Sequence, residues 1–144
     1  REVITNGFDA VAVHLGGDPE HAGIQYRAHD AVAENESAAY VFPEGAFPEA
    51  DPDNETINSR RGLPWVAMTY RIEDREYTVQ QMDHPENPPD TTFSAYRPYG
   101  RFGAFFEETL SPGESLTVRY RFLIRRGSEP SRDELAERYA EFAE

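Results

Sequence analysis

From Glu114 to Arg126 the chain reads ESLTVRYRFLIRR, with Leu116, Val118, Tyr120, Phe122 and Ile124 at every second position and Ser115, Thr117, Arg119 and Arg121 between them. Side chains alternate faces along a β-strand, so this spacing makes one apolar face and one polar face. An apolar strand face must be covered by a second layer, and a strand needs hydrogen-bonded neighbours. The stretch therefore predicts a half-buried strand in a sheet of a layered domain.

Other segments agree with it. FDAVAVHL at 8–15, GIQYRA at 23–28 and SAAYVF ending at Phe42 read as strands, and WVAMTYRI followed by YTVQQM reads as a hairpin turning through Glu73 to Glu76. Residues 43–64 hold four prolines, many acids and no periodicity, which predicts a long loop. RFGAFFEETL leads into Ser-Pro-Gly-Glu, where Pro112 and Gly113 suit the centre of a type II turn. At the C-terminus the period changes. Ser131 and Glu134 form a capping box, and Leu135, Tyr139 and Phe142 recur at helical spacing, predicting a helix from Arg132 to Ala143 with that stripe against the sheet. The expected fold is all-β or β-rich: an antiparallel β-sandwich with one C-terminal α-helix, in a single domain over 1–144.

Composition limits the function. The 144 residues suffice for one core, and aromatics make up 12% of them. A net charge of −13, with 14 basic residues that are all arginine, argues against a nucleic-acid partner. No cysteine is present, which excludes disulfides, iron–sulfur clusters, thiolate zinc and a thiol nucleophile. No apolar run approaches the roughly 20 residues of a spanning helix, so no membrane partner is expected. GxSxG, P-loop and GxGxxG motifs are absent as well.

The chemistry-bearing residues gather in three groups. Asp83, His84 and Asn87, in QMDHPENP, offer an acid, an imidazole and an amide at a strand end. They suit hydroxyl binding or acid–base work with His84 as acid or base and Asp83 orienting it; equally, Asp83 caps a turn, His84 stacks and Asn87 bonds backbone in an Asx-turn. Tyr96, Arg97, Tyr99 and Arg101, in AYRPYGRFG, pair guanidinium groups with rings, an arrangement suited to carboxylates, phosphates or sugar faces. Arg97 is read toward a ligand and Arg101 toward an internal ion pair. Arg27, His29, Glu34 and Asn35 come from a strand end and the turn that follows it, and are expected to meet the first group at one rim. His14 and His21 add no HxH or HxxxH spacing, so no metal site is expected. Residues 51–55 resemble a calcium loop only in composition and read as a solvated acidic segment, Asn35 and Asn54 head glycosylation sequons, and Trp65 reads as core.

The blocks AGIQYRAHDAVAEN, PWVAMTY, YTVQQMDHPENP and AYRPYGRFGAFFEETLSPGESLTVRYRFLI, with the closing helix, resemble the C-terminal part of the PmoA-like family of bacterial proteins. Members are often labelled methane oxygenase, but that enzyme's membrane subunit spans the bilayer many times and this chain has no such segment. The resemblance implies a soluble β-sandwich, extracytoplasmic, met among proteins of sugar catabolism, and generally longer, with histidine-rich blocks upstream. It makes this chain the expected C-terminal part of a longer family domain. The functional expectation is a domain that binds or processes a carbohydrate or sugar-derived small molecule, with His84 and Asp83 catalytic and Asn87, Arg97, Tyr99 and Arg27 binding. Enzyme activity and cofactor are left undecided. The competing expectation is a structural or self-assembling domain, either a homo-oligomer or one completed by a partner that supplies the upstream part.

Overall fold

A computed structural model describes residues 2–7, 11–17, 23–45 and 56–144. Its strands are β1 (Glu2–Thr5), β2 (Val13–Leu15), β3 (Ile24–Arg27), β4 (Ala39–Val41), β5 (Thr56–Arg61), β6 (Trp65–Ile72), β7 (Arg75–Asp83), β8 (Thr92–Tyr96), β9 (Arg101–Phe105), β10 (Glu108–Leu110), β11 (Ser115–Val118) and β12 (Tyr120–Arg126). Two helices accompany them, α1 (Asp30–Asn35) and α2 (Arg132–Ala143), with a 3-10 turn at Arg97–Tyr99.

The expected β-rich antiparallel architecture is present. One sheet runs β12-β7-β6-β4 and the other β3-β9-β8-β5, while β1 with β11 and β10 with β2 form two ribbons. Alternation explains the layers. Val66, Met68, Tyr70 and Val79 of the first sheet meet Phe93, Ala95 and Phe102 of the second in the main core. The opposite face of the first sheet carries Trp65, Ala67 and Met82, and Leu135 of α2 closes over them. The order is helix, sheet, sheet. Ser131 and Glu134 form the predicted capping box, and the helix occupies the predicted residues.

Gly113, at φ 81°, stands in the predicted turn, which a hydrogen bond from Glu114 N–H to the Ser111 carbonyl closes at 3.0 Å.

Several expectations change. Within the predicted loop of 43–64, Thr56–Arg61 forms β5 and pairs with β8, with a register shift between Ile57 and Arg60; residues 46–55, including the acidic segment and Asn54, lie outside the described residues. An outer strand takes its order from a neighbour's backbone and needs no apolar alternation of its own. β8 likewise forms where no strand was expected. The strand read from Glu114 to Arg126 is two, parted at Arg119, and RFGAFFEETL is divided between β9 and β10. Ile124, assigned to the covered face, is 55% exposed, because β12 is the outermost strand of its sheet. Of residues 8–15 the described strand covers Val13–Leu15, and α1 replaces a turn, its first N–H groups capped by the His29 ring, which accepts from Ala31 N–H at 3.1 Å.

Candidate functional site

Three elements meet at the DHPENP corner. β7 ends at Asp83, and Pro85 and Pro88 forbid further ladder bonding. The chain turns, with Asn87 N–H donating to the His84 carbonyl at 2.9 Å. Asn87 is buried and its side chain spans the gap between β11 and β12: Oδ1 accepts from Arg119 N–H at 2.7 Å, while Nδ2 donates to the Arg119 carbonyl at 2.8 Å and to Asp83 Oδ1. Arg119 in turn donates from Nη1 to Glu86.

His84 is held on both sides. Its Nδ1 accepts from Glu86 N–H at 3.1 Å, and its ring meets Phe142 of α2 edge-on at 5.3 Å between centroids. Among the described residues no hydrogen bond joins Asp83 to His84, so the expected orienting role of Asp83 passes to the Glu86 backbone and Phe142. Burial pushes the Asp83 carboxyl above its usual range, with hydrogen bonds from Asn87 and Thr91 and the nearby His84 opposing the shift. Behind it lies a cavity of about 10 Å³ lined by Gln81, Asp83, Thr91 and Phe93 among others. That holds about one water and no sugar.

The arginines stand elsewhere. Arg101 opens β9, beside Arg27 of β3 and Tyr96 of β8 in register. Inward-facing Phe102 follows it, so Arg101 points to the outer face of its sheet. There it is only 8% exposed; Nη1 donates to Gln25 Oε1 at 3.1 Å and to Ser94 Oγ at 2.9 Å, and among the described residues no carboxylate pairs with it. Among the described residues the expected internal ion pair of Arg101 is therefore not seen. Gly103 keeps the strands close enough for this arrangement: a Cβ there would stand 2.2 Å from the Ile24 carbonyl oxygen. On the core side, Tyr40 donates its hydroxyl to the Arg101 carbonyl at 2.7 Å. Burial raises the Tyr40 hydroxyl far above its ordinary range, and Arg101 and then Arg97 counter part of the shift.

Arg97 begins the 3-10 turn after β8, and Gly100, at φ 59°, ends that turn against Ala28 and Val32. The Tyr99 side chain lies outside the described residues, as does His21. His29 caps α1, and Asn35 donates to the Arg71 carbonyl at 2.9 Å.

The expected convergence on one rim does not occur. Thr91, beside Asp83, precedes the start of β8 and Arg97 follows its end, so the two groups are separated by the length of that strand, about 20 Å over six residue steps. Arg27 and Arg97 share an end with Arg101; Asp83, His84 and Asn87 occupy the other. Sequence reading undervalued Arg101, although one signal was present: a cation between Gly100 and Phe102 on an apolar strand occupies a position where a neutral residue is the cheaper choice.

Among the described residues no helix is long and apolar enough to cross a membrane. Searches among curated proteins and among solved structures give no match. The sequence pattern of one family, described as a family of unknown function (DUF6807), matches residues 5–140. The chain, matched over nearly its whole length, belongs to the DUF6807 family.

Proposed function

We propose that this domain binds a small carbohydrate-derived acid on the outer face of the β3-β9-β8-β5 sheet, with Arg101 at the centre of the site and Arg27 and Arg97 beside it. One observation carries the reading: a nearly buried guanidinium that, among the described residues, bonds the neutral side chains of Gln25 and Ser94 and no carboxylate. Burying a cation without a counter-charge is costly, and a chain with 27 acidic residues had many ways to supply one. A ligand carboxylate completes the site through paired hydrogen bonds to the guanidinium fork. The resemblance to PmoA-like bacterial proteins supports the carbohydrate class and an extracytoplasmic setting, with Tyr99 as a further binding residue. Because His84 and Asp83 stand a strand length away, the reading is one of binding, with chemistry at that corner as the competing version.

Calorimetric titration with a uronate, an aldonate and their neutral parent sugars tests it. Saturable binding of an acid that Arg101→Met abolishes, with the fold retained, is the expected result. Equal affinity for the neutral sugar, or an unaffected Arg101→Met variant, removes the proposal. A second reading, self-assembly, is favoured by β12, which among the described strands bonds only β7 and which exposes Ile124. Light scattering separates the two, since a stable monomer at low concentration counts against assembly.

A further inference from the structure

Where β12 ends, the chain bends through residues 127–130 into α2, and a pocket of about 260 Å³ opens between sheet, bend and helix. Thr78, Arg125, Arg126, Glu129, Glu134 and Arg138 line it. Thr78 of β7 faces Arg125 of β12 across the ladder, so both stand on the side of the sheet that α2 covers. Arg138 follows buried Leu135 by one helical turn.

Two features mark this pocket. Two arginines line it from the α2 side in a strongly acidic chain, and among the described residues the side chains of Arg125 and Arg138 make no hydrogen bond and no ion pair within 4.0 Å. Glu134 lines the pocket too: hydrogen bonds to its Oε2 from Ser131 N–H at 2.9 Å and from the Ser131 hydroxyl at 3.3 Å, followed by the charges of Arg138 and Arg125, hold its carboxyl below the usual range. The second feature is Thr78 itself, 4% exposed, whose buried hydroxyl has no hydrogen-bond partner among the described residues. A buried hydroxyl is normally satisfied, and one without a partner in a residue that lines this pocket calls for an acceptor.

We infer that this pocket binds a phosphoryl group, free or as a phosphate monoester, with Arg125 and Arg138 bonding its oxygens and Thr78 donating from the wall. Planar guanidinium forks match that geometry, and the adjoining N-terminus of α2 adds favourable potential. With a net charge of −13 the protein repels anions in general, so affinity here comes from local structure. The site is independent of the Arg101 face.

Isothermal titration of the whole chain with inorganic phosphate, at fixed ionic strength in chloride, tests the assignment. One saturable site is expected, weakened at least tenfold in the double variant Arg125→Ala, Arg138→Ala and severalfold in Thr78→Val. Arg132→Ala, on α2 but outside the pocket lining, and Arg101→Met leave it unchanged. Glucose 6-phosphate against phosphate distinguishes the sources: tighter binding of the ester assigns the pocket to an esterified ligand, equal binding to the phosphoryl group alone. No saturable binding, an equal loss in Arg132→Ala, or glucose binding as well as its phosphate overturns the inference.

Discussion

The Asn87 side chain holds the backbone of Arg119 from both sides, accepting from its N–H at 2.7 Å and donating to its carbonyl at 2.8 Å. Arg119 is the residue at which β11 gives way to β12. The amide therefore supplies the pairing that a neighbouring strand supplies elsewhere, and it ties the end of β7 to that break. Truncation to Asn87→Ala leaves the Arg119 N–H without its acceptor, while the Arg119 carbonyl keeps the His84 N–H at 3.2 Å and Asp83 keeps Thr91, at a cost of roughly 1–3 kcal/mol. Urea unfolding measures the loss, and a change under about 0.5 kcal/mol would show that solvent substitutes for the amide.

His84→Ala removes the edge contact with Phe142 and the acceptor for Glu86 N–H. The expected cost is about 1–2 kcal/mol, with binding of the sugar acid at Arg101 unchanged. A variant that keeps its stability but loses binding or turnover would restore the catalytic reading of His84.

Asp83 gives a pH dependence with a definite sign. Its carboxyl titrates above the usual 3.8 in the folded protein, chiefly through burial. The folded state thus holds the proton more tightly than the unfolded chain. The stability this confers is fully present below the unfolded pKa and is lost as pH rises through the folded one. Asp83→Asn, which keeps an acceptor for Asn87, should gain stability relative to the parent as pH rises through that window. Parallel unfolding curves on both sides of it decide the matter; a constant difference would mean that the carboxyl titrates alike in both states.

Leu135→Ala should cost about 2–5 kcal/mol, as expected for a fully buried leucine. Trp65, the single tryptophan, lies beneath α2 in the same cluster. Its emission should shift to the red in the variant at denaturant concentrations where far-UV circular dichroism still reports native sheet. Coincident transitions would instead mean that helix and sheet unfold together.

Local patterns carried much of the fold. The run from Leu116 to Ile124 announced a sheet, Pro112 and Gly113 a turn, and Ser131 with Glu134 the start of α2, because period, turn chemistry and capping are written within a few residues. β5 was illegible, since TINSRR owes its order to hydrogen bonds from β8. The break at Arg119 was equally hidden, because the amide that bridges it comes from 32 residues away.

The candidate site shows the same division. Asp83, His84, Asn87, Arg27, Arg97 and Arg101 were all visible as chemistry-bearing residues, but their grouping was not. Sequence by itself determined a β-rich antiparallel domain with a capped C-terminal helix. Only the tertiary structure decided that the DHPENP corner stands a strand length from the arginines, that Arg101 is buried beside Gln25 and Ser94, and that Thr78, Arg125 and Arg138 line one pocket. Period and capping depend on neighbours along the chain, whereas the surroundings of a polar group depend on which distant strands are brought beside it.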